Sequence, residues 1–247
     1  MEHPGPVRSY DELLEEGRRL HPGVDIGRPG RSRAYPVILG GLRALRVRYD
    51  VDLHGGEHLA PGAAVIVGNH VSALDPVCAV LTSWRRVVAF TKVEMFEGGG
   101  AAFFRGMGQI PLRRGDEAST AWALEMAGAV LREGASIGVY PEGTRSPDGR
   151  LHRLHKRVLV PLLVDNPGVP VHAMTVRYEP RRPPRRNRVA ITVSPRLDLS
   201  DVLDDPEHLV TRIREALQAT SGQEYVHEYA RDVKRRLAAE RSARRSG

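Results

Sequence analysis

Residues 69 to 76 read Asn-His-Val-Ser-Ala-Leu-Asp-Pro, placing His70 five positions before Asp75 and directly after an apolar run. If the chain folds back over a first helical turn, the Asp75 carboxylate can hold one imidazole nitrogen. That fixes the tautomer and raises the basicity of the other nitrogen toward a substrate hydroxyl. The pair supplies the orienter and base of a hydrolytic triad without a nucleophile. A serine acyl-enzyme has little support, so the attacking hydroxyl must come from a second substrate. Amides of the turn after His70 are candidate donors to a tetrahedral oxyanion. Taken alone, the pair also suits a hydrogen-bonded structural histidine.

Two further clusters follow apolar runs. Val139-Tyr-Pro-Glu-Gly-Thr-Arg-Ser146 presents Glu142 and Arg145 around Gly143 and Thr144; the planar fork of arginine suits a phosphate, and a loop-pinning Glu-Arg pair is the plainer reading. Gly108-Gln-Ile-Pro-Leu-Arg-Arg-Gly115 ends a short extended piece in Arg113 and Arg114, with glycines that permit close backbone approach. Its plainer reading is a solvated surface turn. Three strand-end clusters would meet at one edge of an α/β sheet, which is where open sheets of this class bind ligands.

The elements that must position these residues alternate strand and helix. Residues 63–68, 87–90, 108–112, 137–140, 171–178 and 189–194 read as strands or extended pieces. Helices are expected over 73–83 with Ser72 as cap, 116–133 ending at Gly134, 159–164, and a stretch marked by Leu209, Ile213 and Leu217 that ends near Gly222. The fold class is therefore α/β, a single domain over 35–222 with a mixed sheet flanked by helices. Residues 1–34 form a charged appendage with a short helix at 11–20, and residues 223–247 a charged helix and basic tail. The stretch 35–47 interleaves apolar residues with arginines and suits a helix that packs on the domain or lies on anionic headgroups. The glycine run 98–100 reads as a flexible break, and Cys78 as a small buried apolar residue.

With 41% hydrophobic and 27% charged residues, the 247-residue chain can bury a core, which excludes disorder as its main state. The formal charge is +7, carried by 34 arginines against three lysines; such a surface favours polyanions. Nucleic acid is disfavoured as the partner, because aromatics are only 5% and no nucleic-acid-binding signature occurs. One cysteine excludes an internal disulfide and a cysteine-based zinc site, and His152 with His155 lacks an acidic third ligand, so no metal is expected. No apolar run is long enough to span a bilayer, and the charged start lacks a signal peptide's apolar segment. The expectation is a cytoplasmic protein, peripheral on the cytoplasmic face of the membrane.

Together the blocks resemble the glycerolipid acyltransferase family typified by 1-acylglycerol-3-phosphate acyltransferase, over roughly residues 35–176. Residues 69–76 resemble its H-x-x-x-x-D block, implying His70 as general base and Asp75 as orienter. Residues 108–114 resemble G-x-I-x-x-x-R, implying Gly108 and Arg114 at the acceptor phosphate. Residues 142–145 resemble the third block, implying acceptor positioning by Glu142, Gly143, Thr144 and Arg145, and 169–171 resemble the fourth. The resemblance implies acyl transfer from acyl-CoA or acyl carrier protein to a lysophospholipid, giving phosphatidic acid. It implies no cofactor beyond the donor substrate, and an anionic membrane surface as partner. The same chemistry on a glycolipid, aminoacyl lipid or specialised metabolite, or a noncatalytic polyanion-binding module, is the alternative. The chain departs from the pattern after the third block, where Lys156-Arg157-Val158 lacks the family's glycine.

Overall fold

The computed structural model describes residues 8–44, 49–81, 86–180 and 186–246. Seven strands form one mixed sheet in the order β1 (Tyr49–His54), β8 (Asn187–Val193), β7 (Val171–Glu179), β2 (Val65–Gly68), β5 (Ser136–Val139), β3 (Val87–Lys92), β4 (Ile110–Leu112). The five strands from β7 to β4 run parallel, and β8 joins β7 antiparallel. A parallel centre must be covered on both faces, which explains why β2 and β5 are buried at every position. Pro111 is tolerated because β4 is an edge strand.

Helices cover both faces. On one lie α1 (Tyr10–Leu20), α5 (Glu117–Arg132), α6 (Lys156–Val164) and α7 (Pro206–Ser221), packed on Val65, Val67 and Ile137. On the other, α2 (Tyr35–Arg43) and α3 (Asp75–Leu81) contribute Tyr35, Leu39 and Cys78 to a cluster around Ile66 and Met174. The alternation of Val65, Ile66 and Val67 between these cores is the period-two geometry of a strand. A second ladder pairs β6 (Leu151–His152) with β9 (Tyr225–Val226), after which α8 (Ala230–Ser246) closes the chain.

Four expectations need revision. The segment 1–34 is no mere appendage over its described part, because Tyr10, Leu13, Leu14 and Ile26 belong to the main core and the Trp122 indole donates to the Leu13 carbonyl at 2.6 Å. A capping box of Ser9 and Glu12 starts its helix. The glycine run 98–100 forms a 3₁₀ turn leading into α4 (Ala101–Gly106), in place of a flexible break. Strands β1, β6 and β9 were not foreseen. The helix expected over 73–83 starts at Asp75, after Ser72 Oγ accepts the Leu74 amide. The end of that helix, residues 45–47 of the basic-apolar stretch and most of the 181–188 basic patch lie outside the described residues.

Leu13 is 1% exposed. Replacing it with alanine is expected to destabilise the whole domain by about 2–5 kcal/mol in denaturant unfolding; a loss below about 0.5 kcal/mol would return this helix to the status of an appendage.

Candidate active site

Strands β2, β4 and β5 are mutually parallel through β3, so the segments that follow them emerge at one edge of the sheet. After Gly68, the buried Asn69 takes over the edge: its Oδ1 accepts the Val176 amide at 2.9 Å and its Nδ2 donates to the Val176 carbonyl at 3.2 Å. The side chain completes the ladder with β7 and frees the backbone at His70 to turn away. The same Nδ2 donates to Gln223 at 2.9 Å.

The turn brings His70 Nδ1 within 2.8 Å of Asp75 Oδ2. Asp75 is fully buried and accepts three more bonds, from the Val71 and Ser72 amides at 2.7 and 2.8 Å and from the Tyr178 hydroxyl at 2.8 Å. A carboxylate surrounded by donors fixes Nδ1 as the protonated nitrogen. Nε2 then faces outward as a base, on a ring 19% exposed and without a hydrogen-bond partner among the described residues. The Tyr140 ring flanks it, centroids 4.8 Å apart. The geometry corrects one expectation: the first two amides after His70 are committed to Asp75, so they are unavailable to an oxyanion.

The second and third clusters reach the same turn. Glu142 is 1% exposed, and its two oxygens accept the backbone amides of His70 at 2.9 Å and His152 at 3.0 Å. Burial pushes its proton affinity up, opposed by these two amides. Glu142 therefore positions the histidine backbone and does not face an acceptor, contrary to the sequence expectation. The Ser146 amide donates to the His70 carbonyl at 2.7 Å. Gly143 adopts φ 69°, and a Cβ there would approach His155 to 2.8 Å, so glycine is required. Its carbonyl accepts from the Arg114 guanidinium.

Arg113, Arg114 and Arg145 are exposed at this edge, and Thr144 is half-buried in the loop. No ion pair engages the exposed Arg145 among the described residues. Gly108 does not belong to the site. It lies at the opposite end of β4, with φ 64° and its carbonyl bonded to the Gly30 amide at 2.9 Å, so its lack of a side chain serves packing. His152 and His155 turn to different partners, Asp148 at 2.9 Å and a stacked Tyr229 ring at 4.3 Å. Burial pushes the Cys78 thiol up to about 11, consistent with an unreactive thiol. The spelling Gly134-Ala-Ser136-Ile-Gly138 matches a nucleophile-elbow pattern, but Ser136 is buried at the start of β5, the wrong end of the strand for an elbow. A cavity of about 440 Å³ between Leu163, Val171, Arg196 and Leu203 opens near the start of β7, also away from this edge.

Sequence reasoning missed Tyr178, Tyr140 and Gln223. Tyr178 is 103 residues from Asp75, and no local pattern links them. The strand that carries it was legible, which leaves its position at that strand's end as the only available signal.

The chain belongs to the acyltransferase family, whose model matches residues 50–177. It is similar to the chloroplastic 1-acyl-sn-glycerol-3-phosphate acyltransferase LPAT1 of Arabidopsis thaliana, with 34% identity over 144 residues, 55% of this chain and 39% of that protein. It also resembles the 1-acyl-sn-glycerol-3-phosphate acyltransferase of Borreliella burgdorferi, with 35% identity over 100 residues, 38% of this chain and 39% of that protein. The chain thus spans about two fifths of the length of these curated relatives. The crystal structure of the 1-acyl-sn-glycerophosphate acyltransferase PlsC from Thermotoga maritima shares the fold, with a TM-score of 0.52, 21% identity, and coverage of 85% of this chain and 89% of that one.

Glu142→Gln keeps one acceptor oxygen but turns an amide NH₂ toward a backbone N–H. A stability loss of about 1–3 kcal/mol is expected. Because the folded carboxyl binds its proton more tightly than the unfolded one, wild type should lose stability as pH rises from about 4.3 through the raised value. The variant should lack that slope; urea titrations across pH that superimpose for the two proteins would remove Glu142 from its bridging role.

Proposed function

We propose that this chain transfers a fatty acyl group from an acyl thioester to the free hydroxyl of 1-acylglycerol-3-phosphate, forming phosphatidic acid. The observation that carries the reading is the His70 ring, clamped at Nδ1 by Asp75 and open at Nε2, on the same edge as Arg114 and Arg145. Nε2 takes the hydroxyl proton as the oxygen attacks the thioester carbonyl. Asp75 balances the imidazolium, and its buried bonds to Tyr178 and two amides hold it in place without reorganisation. The tetrahedral intermediate then expels the thiolate, which receives the proton from His70. The acceptor phosphate is assigned to Arg114 and Arg145, whose planar forks suit it. The names of the relatives support this acceptor, and the donor is a coenzyme A or acyl-carrier-protein thioester. The scheme needs no cofactor beyond that donor.

The excess of arginine and the exposed Val37 and Phe103 of α2 and α4 support attachment to an anionic membrane, on its cytoplasmic face. Among the described residues no helix is long and apolar enough to cross a bilayer. Co-sedimentation with vesicles is expected to rise with anionic lipid and to fall with salt; binding indifferent to both would remove the electrostatic attachment.

Thiol release from acyl thioesters, measured with and without lysophosphatidic acid and with mass analysis of the product, tests the reaction. His70→Ala should lower kcat by about 10²- to 10⁴-fold with the fold retained. Arg114→Ala and Arg145→Ala should chiefly raise KM for the lysolipid. Wild-type turnover retained in His70→Ala would refute the base, and an acylated product other than phosphatidic acid would reassign the acceptor.

A further inference from the structure

The chain beyond α7 lies outside the stretch matched by the family model, yet it is stitched to the site. Gln223 bonds Asn69 at 2.9 Å and the Gly149 carbonyl at 2.6 Å. The Leu151 amide donates to the Glu224 carbonyl at 2.9 Å, and the Arg153 amide to the Glu228 carbonyl at 3.0 Å, on either side of the β6–β9 ladder. Tyr229 then stacks on His155 with rings 5° from parallel, and His155 packs over Gly143, whose carbonyl holds Arg114. This strap ends in α8, anchored by the buried Ala230 and Val233, and Arg231, two residues after the stacked Tyr229, is exposed.

The arginines here divide into paired and unpaired ones, as they do over the rest of the chain, where Arg113, Arg114, Arg145 and Arg153 also lack an ion pair among the described residues. On α8 and just before it, Arg235 pairs with Asp232 and Arg236 with Glu228. Elsewhere Arg8, Arg31, Arg150, Arg188 and Arg212 also have carboxylate partners. Arg231 has no ion pair among the described residues. Its charge is felt at both neighbours. His155 is held below its usual proton affinity first by burial, then by Arg114, Arg231 and Arg153, with Asp232 opposing; Arg114 is lowered first by burial, with Glu94 opposing and Arg231 adding to it. Crowding of like charges is unfavourable unless an anion shares them, and a phosphate monoester carries up to two negative charges with acceptor oxygens on several sides. One arm of Arg114 is already committed to the Gly143 carbonyl.

We infer that Arg231, delivered by the C-terminal strap, joins Arg114 in binding the phosphate of the acceptor; the assignment of that phosphate rests on the acyl-transfer reading above. The strap thereby makes an element outside the family-matched region part of acceptor selection.

The test uses the full chain and a short-chain lysophosphatidic acid below its micelle threshold, which separates headgroup recognition from adsorption to a lipid surface. Arg231→Ala should raise KM for this acceptor roughly tenfold, the scale of one lost charge-assisted contact, while kcat stays within about twofold. Arg231→Lys should recover part of the loss, and Arg235→Ala, which removes a neighbouring paired charge, should leave KM unchanged. Calorimetric binding of glycerol 3-phosphate, without turnover, should weaken in parallel in Arg231→Ala. Equal KM and equal binding in Arg231→Ala and wild type would overturn the inference, as would a change confined to sedimentation with anionic vesicles. A wild-type protein that does not acylate lysophosphatidic acid would sink the acyl-transfer reading instead, and the binding comparison would still decide whether Arg231 holds a phosphate monoester.

Discussion

A carboxylate with almost no access to water, that of Glu142, organises the edge of the sheet. Each of its oxygens is used by a backbone amide, one from His70 and one from His152. Burying an ionisable group is unfavourable, and it persists here because both donors would otherwise be unsatisfied in the same place. The loop after β5 is thus joined to the turn after β2, and the reverse bond from the Ser146 amide to the His70 carbonyl closes the connection. With His70 held by its own backbone, ring orientation is set by the bond to Asp75 and the flanking Tyr140 ring. The precision of the site comes from this division of labour: Glu142 fixes where the histidine is, and Asp75 fixes which way it faces.

Both constraints exist because parallel strands deliver their carboxyl ends to one side. The loops after β2, β4 and β5 are separated by dozens of residues in sequence, yet they emerge within hydrogen-bonding reach because three strands on one sheet share a direction. Asn69 extends this logic by one residue past the ladder, pairing its amide side chain with Val176 so that β2 can end without stranding the backbone of β7. The polar groups of the edge are therefore satisfied mainly by one another, leaving His70 Nε2 and the Arg145 tip open and the Arg114 guanidinium held on one side by the Gly143 carbonyl.

Legibility in the sequence follows from the range of each interaction. Strand and helix positions, the helix ends at Gly134 and Gly222, and the strand-end clusters were readable because apolar periodicity and punctuation are local, whereas the N-caps Asp116 and Asp205 were not singled out. The helix 10–20 was readable, and Tyr10, Leu13, Leu14 and Gly17 stand at the spacing of one face, but the surrounding charge and proline obscured that this face joins the core. The duty of Glu142 could not be read. A carboxylate beside an arginine looks like a ligand-binding pair, whereas its partners are two backbone amides, which carry no sequence signature. Gly108 misled in the same way, since a glycine that permits close packing against Gly30 is spelled like one that admits a phosphate.

The support around Asp75 also bounds the electrostatics available to the site. Three of its four donors converge on Oδ2, the oxygen that also holds the histidine, and Tyr178 occupies Oδ1. A carboxylate held this way and fully buried can stabilise a charge on the ring but is out of a substrate's reach. With the Val71 and Ser72 amides consumed, an oxyanion formed on the acyl-transfer reading must draw on other donors. The loops that carry Arg114 and Arg145, and the strap that carries Arg231, bring positive charge to the same edge, with Glu94 and Asp232 opposing it. Base and positive charge thus come from different loops of one edge, and on the acyl-transfer reading the acceptor engages both at once.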